Sequence, residues 1–349
     1  MRNFKDIWNL SPRQVPWIVA EISGNHNGEL ERALELINAA AESGVDAIKL
    51  QTYKADIITL DIAENEFRVE RAGSAWHGRT LHSLYSEAQT PWEWHGSMIQ
   101  RAKELGIHWF SSPFDSTAVD FLEMFDPICY KIASPEIVDL PLISKCARTG
   151  RPMVISTGMA TVAEIGEAVE AARGNGCEAL ILLKCTTDYP APPGSSNLKT
   201  IPHMAKLFGC PCGLSDHTLG IGVAVAATAF GAVLIEKHLT LRRSDGGPDS
   251  AFSLEPQEFK ALVLETRNAF EALGHVQYGP LETEKTSLKG RRSLYVTADM
   301  KAGEVFTEAN VRSVRPSYGL GPKYLNIIIG RKVSQNVPAG TPISWDLVR

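Results

Sequence analysis

The sequence predicts a (β/α)8 barrel followed by a small β-rich domain. Three observations predict it. Short β-branched apolar runs alternate eight times with runs of helical period over roughly the first 270 residues. Polar motifs stand at the end of every predicted strand, where such a barrel carries its active site. After Leu273 the helical period stops and a turn-rich segment begins. The predicted strands are 17–22, 47–51, 107–111, 129–132, 153–156, 179–184, 212–214 and 233–237. Helix starts follow several of them: Thr90-Pro91-Trp92-Glu93 combines a capping box with proline at the first helical position, and Thr161 and Glu164 form a second box. The last barrel helix is expected from about Pro256 to Leu273, with Phe259, Leu262, Val263 and Phe270 on one face. An open doubly wound sheet alternates in the same way, so the strand-end motifs carry the choice.

The expected domains are a barrel at 1–278, a polar connector at 279–290 and a small domain at 291–349. In the last, Ala302-Gly303, Phe306-Thr307 and Val311 recur as Ala339-Gly340, Ile343-Ser344 and Val348, always 37 residues on. A repeated β unit of that size reads as a compact pseudo-symmetric domain. The long stretch 54–90 interrupts the second βα unit, and loops of that length are usually functional.

Composition excludes several classes. A net charge of −5 argues against a nucleic-acid binder that works by neutralising phosphates. No stretch reaches the roughly 18 apolar residues of a membrane span, and the N-terminus has no apolar leader core. Six cysteines are scattered without a CxxC pair, which points to a reducing cytoplasm rather than a disulfide framework.

The chemistry-bearing residues gather at strand ends: AEISGNHNG, IKLQTY, FSSPFD, YKIASPEI, ISTGM, KCTTDYPAPP, GLSDHT and IEKHLT, in chain order. His217 and His238 end neighbouring strands, so two imidazoles can share one divalent metal and leave positions open for water and substrate oxygen. A lone histidine there would simply hydrogen-bond within the barrel; the pairing favours a metal. Of the other histidines only His26, in the first rim loop, is near the mouth. Lys49 and Lys131 end strands two and four, and an anion between them would offset the cost of burying ammonium groups. Ser134, Ser156 and Ser215 add hydroxyl donors, though a single serine is more often a local cap. Neither a phosphate-binding Walker loop nor a dinucleotide GxGxxG is present.

These motifs resemble the sialic acid synthases over the barrel, and the tail resembles their antifreeze-protein-like (SAF) domain. GLSDHT, IEKHLT and the run SDGGPDSAFSLEP at 244–256 are the most specific, and the last looks like the pseudaminic acid synthase branch; its small residues with Phe252 suit a 6-deoxy sugar bearing a methyl group and a second acetamido group. The resemblance implies condensation of phosphoenolpyruvate with an amino-sugar aldehyde. It implies Mn2+, with Mg2+ or Co2+ as alternatives, on His217 and His238. Lys49, Ser112, Lys131, Ser134, Ser156, Thr187 and Ser215 would hold phosphoenolpyruvate; Glu21, Gln51, Tyr189 and Asp249 would face the sugar. Glu21, Glu136 and the two histidines would be catalytic, with Glu136 near the attacking water; a plain salt bridge to Lys131 is its structural alternative. Thr187 departs from the asparagine usual in that motif. The resemblance also implies a domain-swapped homodimer in which Arg315 reaches the partner's sugar, a connector of 12 residues spanning at most about 40 Å. Synthesis of N-acetylneuraminate or legionaminate is the nearest alternative. A metal-dependent hydrolase stands further off, since it needs no two-lysine anion site, and the full rim of polar strand ends speaks against a non-catalytic barrel whose tail is a binding module.

Overall fold

Alternation along a strand sends odd and even residues to opposite faces, and in this chain that parity builds both the core and the site. The computed structural model describes residues 2, 4–8, 14–70 and 76–349, in two compact units, Met1–Gly274 and His275–Arg349. The first is a closed barrel of eight parallel strands in sequential order. They are β1 (Trp17–Glu21), β2 (Ala47–Thr52), β3 (His108–Pro113), β4 (Tyr130–Ile132), β5 (Met153–Ser156), β6 (Leu180–Cys185), β7 (Cys212–Asp216) and β8 (Leu234–His238). Closure comes from β8 pairing with β1, which sets Val19 beside Glu236 and Glu21 beside His238.

One parity class fills the lower barrel: Trp17, Val19, Ala47, Phe110, Val154, Ile181, Leu183 and Leu234 pack as a single apolar cluster. Two residues further along the same strands, the same parity gives Glu21, Lys49, Ser112, Ser156, Cys185 and Glu236. The apolar layer therefore becomes a polar layer at the C-terminal end, where the site must lie. The opposite parity, with Ile18, Ile48, Ile132, Ile155, Leu182 and Ile235, packs on the surrounding helices.

Several strands run further than expected. β7 includes Ser215 and Asp216, β8 includes His238 and β3 reaches Pro113. Their polar ends look like loop in sequence, yet inside the closed barrel Ser215 bonds Glu236, Asp216 pairs with Lys237, and the ladder continues. The Thr161 box forms as expected, and Phe259, Leu262 and Val263 bury the inner face of the helix Pro256–Ala272. The Thr90 box does not form: Pro91 precedes a 3-10 turn, Trp92–Trp94, with no side-chain cap. The Thr90 hydroxyl instead lies 3.3 Å from His26 Nε2, which ties the first rim loop to segment 54–90. Of that segment, residues 71–75 lie outside the described residues.

The second unit pairs β9 (Ser293–Val296) antiparallel with β10 (Val311–Val314). Its repeat is physical. Met300 and Val337, 37 residues apart, exchange both backbone hydrogen bonds. Asp299 accepts from the Ala339 N–H and Asn336 from the Ala302 N–H, each at 2.8 Å. Val296 and Val333, Met300 and Val337, and Phe306 and Ile343 fill the unit's core as symmetry-related pairs. Residues 279–290 carry two short 3-10 turns, Glu282–Glu284 and Thr286–Gly290. Among the described residues no helix is long and apolar enough to cross a membrane, and all six cysteines are buried free thiols.

Candidate active site

A cavity of about 840 Å3 opens at the C-terminal ends of the barrel strands. Its floor is a buried charge network. Lys49 Nζ lies 2.7 Å from Glu21 and 3.1 Å from Glu236 Oε1, and Lys131 Nζ lies 3.4 Å from that same oxygen. Ser215 Oγ donates to it as well, at 3.2 Å, and Lys49 reaches Ser112 Oγ at 3.5 Å. Two ammonium groups face two carboxylates, so the floor is neutral as a set. Burial of any one of these charges alone would be prohibitive, and pairing makes it tolerable. Burial works against the Glu236 carboxylate, but Lys131 and Lys49 outweigh it and hold its pKa well below the usual range. Burial also disfavours the Lys49 ammonium, yet Glu21 and Glu236 win and raise its pKa. Lys131, with the weaker pairing, is left lowered by burial.

The two histidines stand beside this floor with ring centroids 5.3 Å apart. His217 Nδ1–H donates to the Thr186 carbonyl at 2.9 Å, so the neutral ring carries its lone pair on Nε2, the arrangement found in metal-binding histidines; burial disfavours its charged form, but Cys185 and the Thr186 carbonyl outweigh it and raise its pKa. His238 Nδ1 is buried without a partner. Burial, with the positive charges around it, keeps that ring neutral, as a metal ligand must be. The donor set therefore fits a divalent cation. No group of three or more His, Cys, Asp or Glu among the described residues has metal-holding geometry. The two imidazoles are thus what the chain offers, and substrate or solvent oxygens would complete a shell.

Residues 36–278 match the NeuB family and residues 291–349 the SAF domain. A pseudaminic acid synthase of Campylobacter jejuni is 43% identical over 96% of this chain and 97% of its own length. One of Helicobacter pylori is 42% identical over 95% and 98%. The crystal structure of spore coat polysaccharide biosynthesis protein SpsE of Bacillus subtilis, 32% identical, superposes with a TM-score of 0.65 over 97% of this chain and 96% of that one. The chain belongs to the NeuB family.

In this NeuB-family barrel the cavity collects Lys49, Gln51, Lys131, Ser134, Glu136, Ser156, Thr187, Tyr189, Ser215, His217, His238 and Asp249 from the sequence expectations. Glu21 and Ser112 sit just beneath it, fully buried, and act through Lys49. Gln51 Nε2 donates to Glu21 Oε1 at 3.0 Å and to Ser23 Oγ at 3.2 Å, and Ser23 in turn bonds Asp249. That chain of contacts fixes three expected sugar-facing residues, Glu21, Gln51 and Asp249, against one another. Ser156 Oγ, Thr187 Oγ1 and Glu136 Oε2 are buried with no hydrogen-bond partner, so they are aimed at a ligand rather than at the protein. Burial pushes the Glu136 carboxyl up to about 7; it forms no ion pair with Lys131. Arg315 belongs to the second unit and is exposed there. His26, buried against Trp94 and Thr90, is packed into the rim.

Four features escape a reading of the sequence. Glu236, one position outside a conspicuous Lys-His pair, is the hub of the floor. It occupies the space between the two lysines where an anion was expected. Gly158 donates its N–H to Ser134 Oγ at 3.0 Å, and a Cβ there would collide with Thr187 Oγ1 and Ser134 Oγ; only glycine leaves those hydroxyls free. Asp216 and Lys237, each just before a site histidine, are paired neighbours in the β7–β8 register. Their ion pair is 2.8 Å long, and Lys237 also donates to the Thr218 carbonyl at 2.7 Å. This buried clamp locks the two histidine-bearing strand ends together. Finally, Phe252 is buried behind Tyr189 and His238, with ring centroids 5.1 and 5.0 Å away, and is absent from the cavity lining.

Proposed function

We propose that this chain is a pseudaminic acid synthase. It would condense phosphoenolpyruvate with 2,4-diacetamido-2,4,6-trideoxy-L-altrose and water, giving pseudaminic acid and phosphate. The observation that carries the reading is one cavity that joins the Lys49–Lys131 floor to the His217–His238 pair. The full-length likeness to pseudaminic acid synthases supports the choice of sugar.

In this reading Lys49 and Lys131 share their charge between Glu236 and the phosphate of phosphoenolpyruvate, while Ser134, Ser156, Thr187 and Ser215 donate to its oxygens. A divalent cation on His217 and His238, Mn2+ by preference, supplies Lewis acidity toward the aldehyde oxygen. C3 of phosphoenolpyruvate attacks the aldehyde carbon and the new bond leaves positive charge at C2. Glu136 accepts a proton from the water that adds there, while the former aldehyde oxygen takes up a proton to become a hydroxyl. The C2–O bond to phosphate then breaks as the new C2 hydroxyl loses its proton, forming the C2 carbonyl and releasing phosphate. Gln51, Asp249 and Tyr189 orient the sugar. The reading includes a homodimer in which Arg315 acts across the interface, and a cytoplasmic setting in keeping with six free thiols.

The sugar is tested by initial rates. The diacetamido trideoxy sugar should surpass N-acetylmannosamine in kcat/KM by about ten- to a hundredfold, the scale of one or two apolar contacts. Preference for N-acetylmannosamine would move the chain to the neuraminate branch.

A further inference from the structure

The cavity has an apolar wall that the condensation chemistry does not use. Ile58, Val69, Trp76, Leu81, Leu84 and Ala88, all from segment 54–90, line it, with Tyr85 of the same segment beside them. A connecting segment would ordinarily send polar side chains to solvent, yet these six apolar residues turn to the same space. Trp76 is pinned there: its Nε1–H donates to the Pro248 carbonyl at 2.8 Å, and its ring lies 5.5 Å from that of Tyr189. Leu84 is only 5% exposed.

The direction of the substrate follows from the reaction. An open-chain sugar must present its aldehyde carbon to phosphoenolpyruvate, hence to the Lys49–Lys131 floor and the two histidines. Its carbon chain then runs away from the strand ends, with its far terminus toward the apolar part of the cavity lining, which holds Trp76, Leu81 and Leu84. That terminus is a methyl group in a 6-deoxy sugar and a hydroxymethyl in its hydroxylated counterpart. The hydroxyl would lose water against side chains that cannot hydrogen-bond it, whereas the methyl gains burial.

We propose that the Trp76–Leu81–Leu84 wall is the specificity-determining contact for the far end of the sugar and selects a methyl over a hydroxymethyl group. This rests on the condensation reading above. It also replaces Phe252, the aromatic residue the sequence suggested for that contact.

The test measures kcat/KM for the diacetamido trideoxy sugar and for its 6-hydroxy counterpart. The intact chain is compared with Trp76→Ala, which opens the wall, and Leu81→Asn, which gives it a hydrogen-bonding group. The intact chain should favour the deoxy sugar about ten- to a hundredfold. Both variants should bring the ratio toward one, chiefly by raising KM for the deoxy sugar. KM for phosphoenolpyruvate, which reports an intact floor, should stay within about twofold in at least one of them. An unchanged ratio in a variant with an intact floor overturns the wall assignment, as does an intact chain that uses both sugars equally. Turnover of neither sugar by the intact chain instead overturns the condensation reading.

Discussion

Alanine in place of His217 or His238 lowers turnover by on the order of a thousandfold or more, while the barrel stays folded. Removing a single preorganised electrostatic group from a site costs roughly 10²–10³, and under the proposed reading the loss would remove one of two donors to the metal. Stability is spared because both residues lie at strand ends, above the apolar cluster that fills the barrel. Phosphate release and a thermal melt check the two halves of this result. Loss of Mn2+ binding, read by the paramagnetic resonance of free Mn2+, assigns the cause. Chelation with EDTA should abolish wild-type activity, and added metal should restore it. The same His217→Ala chain, co-refolded with Arg315→Ala, should recover one intact site per heterodimer. A mixture as inactive as either parent would place Arg315 in cis or outside catalysis.

Glu136→Gln should lower kcat by roughly 10²–10⁴, the usual contribution of a positioned general base, and should stabilise the ligand-free fold at alkaline pH. The sign follows from the raised pKa. Burial lifts the carboxyl from its ordinary 4.5 to about 7, so folding favours the protonated form. That stabilisation is complete below about pH 4.5 and is lost as pH rises through 7, up to about 3 kcal/mol in all. Glutamine is neutral throughout. The variant should therefore melt higher than the wild type at pH 8 and alongside it near pH 4. In the wild type, kcat/KM should rise with pH through about 7 as the carboxylate forms. Equal melting points at pH 8, with kcat unchanged, would remove Glu136 from this role.

Much of this architecture was legible in the sequence, for a physical reason. Strand parity is written in the chain, so Val19 with Glu21, Ala47 with Lys49 and Leu234 with Glu236 announce an apolar layer beneath a polar one. The histidines could be paired because they end consecutive strands. What parity cannot give is which inward charges meet. That depends on closure of the barrel, where β1 meets β8 and Glu21, Lys49 and Glu236 converge. The sequence therefore shows the lysines as an open anion site and assigns Glu236 no role. Among its described residues, segment 54–90 carries two short α-helices, Ala55–Ile58 and Leu81–Ala88, and nothing in their spacing says that their apolar residues turn toward the barrel mouth. Phe252 misled for a related reason: its position beside Asp249 in sequence says nothing of the rings of Tyr189 and His238 that stand in front of it.

Bond formation between C3 of phosphoenolpyruvate and the aldehyde carbon of an amino sugar can be followed most directly with phosphoenolpyruvate labelled with carbon-13 at C3 and the diacetamido trideoxy sugar labelled at C1, incubated with the full chain and Mn2+. A new one-bond carbon–carbon coupling between the two labels, appearing in step with released phosphate, is the predicted result. Phosphate released with the C3 label in free pyruvate, and no coupling to the sugar, would contradict it.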